Sequence, residues 1–167
     1  TPGGVTHQSI NDVGIMRTVP NMAIFDVGDA TDIEGVLDLV YEWNGPAYIR
    51  MLRKEVPRLF PANEPMVFNR ASTITEGDDV LILSSSICTE EAMRATAALE
   101  DKGVSVQHMH VSTLKPFTDP TIVEALKKCK YGVVTMENHY NIGGLGSAVA
   151  DLMAENGIGK KLIKIGL

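Results

Sequence analysis

The stretch Val80-Leu81-Ile82-Leu83-Ser84-Ser85-Ser86-Ile87-Cys88-Thr89-Glu90-Glu91 decides the fold class. Four consecutive large apolar residues bounded by polar ones suit a strand buried on both faces. Three serines make the turn, and Thr89 with Glu90 and Glu91 marks a helix start, because acidic side chains favour the positive end of the helix dipole. That helix is expected to run to Lys102-Gly103, a basic last turn followed by a C-cap glycine. Downstream the pattern repeats. Val104 to Val111 alternates apolar with polar residues and predicts a strand with one face less buried. Asp119-Pro120 opens a helix through Ile122, Val123, Ala125 and Leu126, with proline at the tolerated first position. Tyr131 to Met136 reads as a third strand. Gly143-Gly144-Leu145-Gly146-Ser147 enters a helix over Ala148 to Ala154, closed by Asn156-Gly157, and Leu162 to Ile165 reads as a fourth strand. Four strands alternating with three helices predict a right-handed parallel sheet with helices on both faces.

Upstream lies a second, shorter alternation. Ile10, Val13, Ile15 and Met16 fit a short amphipathic helix with Arg17 at its end and Pro20 as its stop. Met22-Ala23-Ile24-Phe25 suits a buried strand. Asp29 caps a helix from about Ala30 to Trp43, and Asn44-Gly45-Pro46 turns the chain into a strand at Ala47 to Leu52. Strand, helix, strand predicts a parallel pair. Between the two units, Pro57, Pro61, Pro65 and Gly77-Asp78-Asp79 mark a linker, with one short strand expected near Met66-Val67-Phe68. The fold class is therefore α/β, built of three-layer parallel-sheet units: a partial unit over 1–60, a linker over 61–78 and a smaller α/β domain over 79–167. Two strands and two helices do not cover both faces of a parallel sheet. The first unit is thus expected to be cut at its N-terminal side, and the chain to stop where another helix would follow.

Composition narrows the function class. The chain has 167 residues, 44% hydrophobic, with a net charge of −6 and a pI near 5.2. An acidic chain of this kind does not provide the broad basic surface that nucleic acid demands. No apolar run reaches the ~20 residues of a membrane span, and Thr1-Pro2-Gly3-Gly4 lacks the features of a secretory signal. Cys88 and Cys129 stand apart without ligand spacing, which predicts two free thiols in a reducing, cytoplasmic setting.

Three stretches carry candidate chemistry. His7 sits on a glycine-rich loop before a helix. It is either a loop histidine bonded to backbone or an imidazole poised to exchange a proton near neutral pH. Arg50 and Arg53 end a parallel strand on the carboxyl side, where such sheets bind ligands. With Lys54 and Arg58 they form either a solvated charge cluster or a clamp for an anion. Gly143 to Ser147 follows the third strand of its unit and lacks the acidic partner of a dinucleotide fingerprint, so close packing of helix on sheet is expected there. Glu137-Asn138-His139, just before it, is expected to be structural, at an interface.

Taken together these stretches resemble the transketolase family of thiamine-diphosphate enzymes. The matching segments are Thr6-His7-Gln8 with Asp12, Met16-Arg17 and Pro20-Asn21-Met22; Arg53-Lys54-Glu55-Val56-Pro57; Thr113-Leu114-Lys115-Pro116-Phe117; and Glu137-Asn138-His139 through Gly143-Gly144-Leu145-Gly146-Ser147-Ala148-Val149-Ala150. They run in the family's order over essentially the whole chain. Gln8 favours transketolase over the related deoxyxylulose-phosphate synthase, and Pro20-Asn21-Met22 disfavours a 2-oxoacid dehydrogenase β subunit.

The resemblance implies that residues 1–60 are the latter part of a pyrimidine-binding domain and residues 79–167 a transketolase C-terminal-type domain. It implies transfer of a two-carbon ketol unit from a ketose phosphate to an aldose or aldose phosphate, as in pentose phosphate metabolism. By match, His7 acts as catalytic and substrate-binding residue through sugar oxygens, and Arg53 holds the terminal phosphate. Thiamine diphosphate and a divalent metal, magnesium or calcium, would be bound mainly by parts outside this chain. Expected partners are sugar phosphates and a second subunit, in a homodimer or in a hetero-oligomer with an N-terminal transketolase subunit. This chain alone is expected to be inactive. Two departures stand out: Gly3 occupies the place of a usual acid, and Asn11 replaces the first acid of an acidic pair. They motivate an alternative, a non-catalytic dimerisation or assembly module.

Overall fold

A computed structural model describes residues 7–53 and 55–167. Gly3, Thr6 and Lys54, which figure in the motifs above, lie outside the described residues. Among the described residues thirteen elements follow one another: α1 (Asp12–Met16), β1 (Ala23–Asp26), α2 (Ala30–Glu42), β2 (Ala47–Arg50), β3 (Ser72–Thr75), β4 (Val80–Ser84), α3 (Cys88–Glu100), β5 (Val106–His110), β6 (Thr113–Lys115), α4 (Pro120–Lys128), β7 (Gly132–Met136), α5 (Leu145–Glu155) and β8 (Leu162–Ile165). The molecule is mixed α/β with parallel sheets, as the sequence predicts.

The larger sheet has the order β3-β5-β4-β7-β8. The four expected strands are all parallel, and β3 joins the edge antiparallel to β5. Alternate side chains of β4 face opposite ways. Leu81 and Leu83 meet α4 and α5 through Ile122, Leu126, Val149 and Leu152, while Ile82 meets α3 through Ala92. Helices therefore cover both faces. Asp119 caps α4 by accepting from the Thr121 amide at 2.9 Å, with Pro120 at the first position.

The smaller sheet has the order β2-β1-β6. β1 and β2 are the expected parallel pair, and Asp29 caps α2 through the Asp32 amide. The third strand, β6, comes from beyond β5 and pairs antiparallel with β1. Val13 and Ile24 of the first unit share one core with Leu114, Leu145 and Val149 of the second.

Two expectations are corrected. No strand forms at Met66-Val67-Phe68; the strand in that region is β3, at Ser72–Thr75. Met66 and Phe68 instead serve as plugs, packed with Phe25, Val36 and Trp43; the Phe68 ring lies 5.8 Å from Phe25 and 5.2 Å from Trp43. β5 was expected to be less buried on one face, yet all five of its residues are buried. Its polar residues His108 and His110 point to the α3 side, where Thr89 and Ser84 hydrogen-bond them. A period of two reports polarity, and here the polar face meets other polar groups rather than water.

Candidate functional site

The carboxyl ends of β1, β2, β4 and β7 converge, and a single guanidinium joins them. Arg50, the last residue of β2, donates from Nε to Asp12 Oδ2 at 2.9 Å and from Nη1 to Asp26 Oδ1 at 3.4 Å. Its Nη2 reaches the Asn138 carbonyl at 2.7 Å and the Ser9 carbonyl at 3.3 Å. The Ser85 hydroxyl donates to Asp26 Oδ2 at 2.8 Å, and the Tyr48 hydroxyl to Asp12 Oδ2 at 2.8 Å. Burial pushes Asp26 above the usual carboxylate range, against the opposing pull of Arg50. Burial works the same way on Asp12, but the bonds from Tyr48 and Arg50 win and its carboxyl sits below the ordinary value. Tyr48 is pushed up to about 12 by burial and by Asp12. The anion-clamp reading of Arg50 is thereby corrected. Its side chain is only 11% exposed and its donors are committed to the protein's own carboxylates and carbonyls.

A second junction forms at the start of α5. Glu137, just past β7, accepts from the Leu145 amide at 2.7 Å and the Gly146 amide at 2.8 Å. Its carboxylate fills the place at a helix N-terminus where an anionic ligand would otherwise bind. Burial nevertheless pushes its pKa up despite those two amides. A Cβ on Gly144 would run into Glu137 Oε2, which is why glycine stands there. His139 accepts from the Gly14 amide through Nε2 at 3.4 Å and places Nδ1 2.7 Å from the Tyr140 carbonyl, so its proton sits on Nδ1. Arg17 reaches the Gly143 carbonyl at 2.9 Å, and Lys115 reaches the Arg17 carbonyl at 2.9 Å. Glu137-Asn138-His139 is structural, as expected: Glu137 closes the start of α5, the Asn138 carbonyl accepts from Arg50 of β2, and His139 accepts from the Gly14 amide of α1.

A third polar chain links α2 to the larger sheet. Asp32 Oδ2 lies 2.8 Å from His110 Nε2, His110 Nδ1 lies 2.7 Å from Thr89 Oγ1, and Thr89 meets Ser84 at 3.0 Å. Ser84 in turn meets His108 Nε2 at 2.7 Å. His108 is fully buried with Nδ1 unpartnered among the described residues, and burial together with nearby His110 lowers its pKa to about 4.

The predicted site residues lie outside these junctions. His7 is exposed in a turn before α1, and Arg53 is exposed in the loop after β2. Starting at Gln8, the residue after His7, an open cavity of about 390 Å³ is lined by Gln8, Ser9, Ile10, Asn11 and Tyr140. The Tyr140 amide donates to the Ile10 carbonyl at 2.6 Å, which joins the two walls of this cavity. Sequence reasoning had no signal for the Asp26–Ser85 or Asp32–His110 contacts, since both join residues more than fifty positions apart. The residues present do not fit the diphosphate end of a thiamine cofactor. The glycine-rich helix start is occupied by Glu137, and among the described residues no group of three His, Cys, Asp or Glu is placed for a metal. Among them, too, no helix is long and apolar enough to cross a membrane.

Comparison with known proteins agrees with the geometry. The family profile described as transketolase, C-terminal domain matches residues 69–167. A putative transketolase C-terminal section of Methanocaldococcus jannaschii is 36% identical over 98% of this chain and 51% of its own length. A 6-deoxy-6-sulfo-D-fructose transketolase subunit of a Clostridium species is 37% identical over 92% of this chain and 47% of its own. The solved structure titled split gene transketolase, inactive beta4 tetramer, superposes with a TM-score of 0.92 at 36% identity, covering 98% of this chain and 54% of that one. The fold is thus of the transketolase C-terminal type. The chain belongs to the transketolase family, whose members are transferases, and it spans about half the length of the relatives it matches.

Proposed function

We propose that this chain is part of a thiamine-diphosphate-dependent transketolase that moves a two-carbon ketol unit from a ketose phosphate to an aldose or aldose phosphate. The observation that carries the reading is the near-complete superposition on a split-gene transketolase together with an exposed His7 beside an open cavity. Thiamine diphosphate, when bound, supplies the carbanion stabilisation. On this reading it and its divalent metal are bound mainly by parts outside this chain. On this reading His7 contacts sugar oxygens and Arg53 the substrate phosphate. Residues 1–60 complete a pyrimidine-binding domain, 61–78 link, and 79–167 form the C-terminal domain. The partner is an N-terminal transketolase subunit or a second copy, which the subunit names of the relatives support for a split enzyme. The two free cysteines, Cys88 and Cys129, support a reducing, cytoplasmic setting.

One observation favours the second reading, an assembly module. Arg17, Lys115, Glu137 and His139 are all spent on internal contacts. The test is transfer of a two-carbon unit by the full-length protein with its partner and the cofactor. His7→Ala and Arg53→Ala are each expected to lower kcat/KM by about 10- to 100-fold, the worth of one charge-assisted hydrogen bond of ~1.5–3 kcal/mol. Unchanged turnover in both would favour the assembly module, and absence of thiamine diphosphate binding in calorimetry would end the transketolase reading.

A further inference from the structure

We infer that Arg50 is a positioning residue that sets the width of the cavity beside His7, an inference that rests on the transketolase reading for its catalytic consequence. The cavity has two walls, the loop of Gln8 to Asn11 and the segment holding Tyr140. One nitrogen, Arg50 Nη2, donates to a carbonyl in each: Ser9 at 3.3 Å and Asn138 at 2.7 Å. The rest of the guanidinium is anchored from below by Asp12 and Asp26, on α1 and β1, so its position does not depend on the cavity's contents. Tyr140 and Ile10 add one backbone bond between the same walls.

The choice of arginine is informative. Neutralising Asp12 and Asp26 requires only a cation, and lysine would supply that. Reaching two carboxylates and two carbonyls at once requires the planar fork of five donors. Lysine at this place keeps the charge and gives up the span, so Arg50→Lys separates positioning from charge balance. His7 directly precedes the tethered loop, two residues before Ser9. A loosened loop therefore spreads the approach of His7 to its substrate, and misplacement of about 1 Å is enough to cost ~100-fold in a catalytic constellation.

The experiment uses the full-length protein with its partner subunit and has two arms. In hydrogen exchange read by mass spectrometry, Arg50→Lys is expected to speed exchange at least tenfold in peptides spanning 8–12 and 138–141, with the rest of the chain unchanged. In steady-state transfer, Arg50→Lys is expected to raise KM for the sugar phosphate about tenfold with a smaller fall in kcat. In a His7→Ala background it should add less than twofold, because it acts through His7. Unchanged exchange in both peptides overturns the inference whatever the protein's activity. Faster exchange with losses that multiply in the double variant also overturns it, since Arg50 then only holds the fold. If the wild type transfers nothing, the transketolase reading fails and the exchange arm alone decides whether Arg50 holds the walls. Should Arg50→Lys not fold, Arg50→Gln with Asp12→Asn and Asp26→Asn removes both buried carboxylates along with their partner, and the same exchange outcomes in the two peptides decide the inference.

Discussion

His108 makes the stability of this protein fall in acid by an amount that follows from its surroundings. The side chain is fully buried on β5, with Nε2 on Ser84 and Nδ1 unpartnered among the described residues. Its pKa drops from 6.5 to about 4, by burial first and by His110 second. A depressed pKa means that the unfolded chain binds the proton more tightly than the folded one. The contribution is therefore intact above pH 6.5 and is lost as pH falls toward 4. A gap of about 2.5 pH units at ~1.36 kcal/mol each amounts to about 3 kcal/mol. Asp26 and Glu137 work in the opposite direction. Their pKa values are raised, so the stability they contribute is full below the ordinary carboxylate value and is lost as pH rises through the raised one. The wild-type curve alone mixes these effects, and a variant isolates the histidine. His108→Leu fills similar space and removes the unpartnered nitrogen, while Ser84 keeps Thr89 as a partner. Urea unfolding of both proteins between pH 8 and 4 should show His108→Leu gaining about 3 kcal/mol relative to wild type across that range. Parallel curves would refute the assignment of a neutral, buried His108.

Two further outcomes follow from the junctions. Glu137→Ala leaves the buried amides of Leu145 and Gly146 without an acceptor and should cost roughly 2–4 kcal/mol in urea unfolding. Gly144→Ala displaces the same carboxylate and should cost about as much, so the double variant should lose clearly less than the sum; additive losses would show that the two residues do not share one contact. Cys88 has its thiol pushed from 9.0 to about 11 by burial, then by Asp26 and Glu137. Alkylation by iodoacetamide at neutral pH should be about 100-fold slower than in urea, and equal rates would contradict the raised pKa of this half-buried thiol.

The fold was legible wherever a local rule had a local cause. Asp29 and Asp119 cap helices because a side-chain oxygen reaches an amide two or three residues on, which sequence displays directly. The four parallel strands of the larger sheet were legible between helices, three as apolar runs and β5 as an alternating one. Met66-Phe68 misled because an apolar triplet reads the same whether it pairs as a strand or plugs a gap beside Trp43. Ser72–Thr75 escaped notice because an edge strand with exposed residues lacks the apolar signal. His7 and Arg53 were picked out by motif order alone, and the structure shows both exposed. Arg50 was half read: its place at the strand end was right and its partners were not, since Asp12, Asp26 and Asn138 lie 38, 24 and 88 positions away.

By itself the sequence determined the α/β class, the helix caps, the glycines at the start of α5 and the family, because these depend on neighbouring residues or on motif order along the chain. Only the tertiary structure decided that β6 completes the first unit's sheet, that Glu137 closes the α5 N-terminus, and that Arg50 is spent inside the protein. The first is a strand pairing between residues ~90 positions apart, and the other two depend on which charged group lies nearest a buried partner. Burial makes an unmet charge so costly that the nearest complementary group in space, however distant in sequence, takes the place a ligand would otherwise hold.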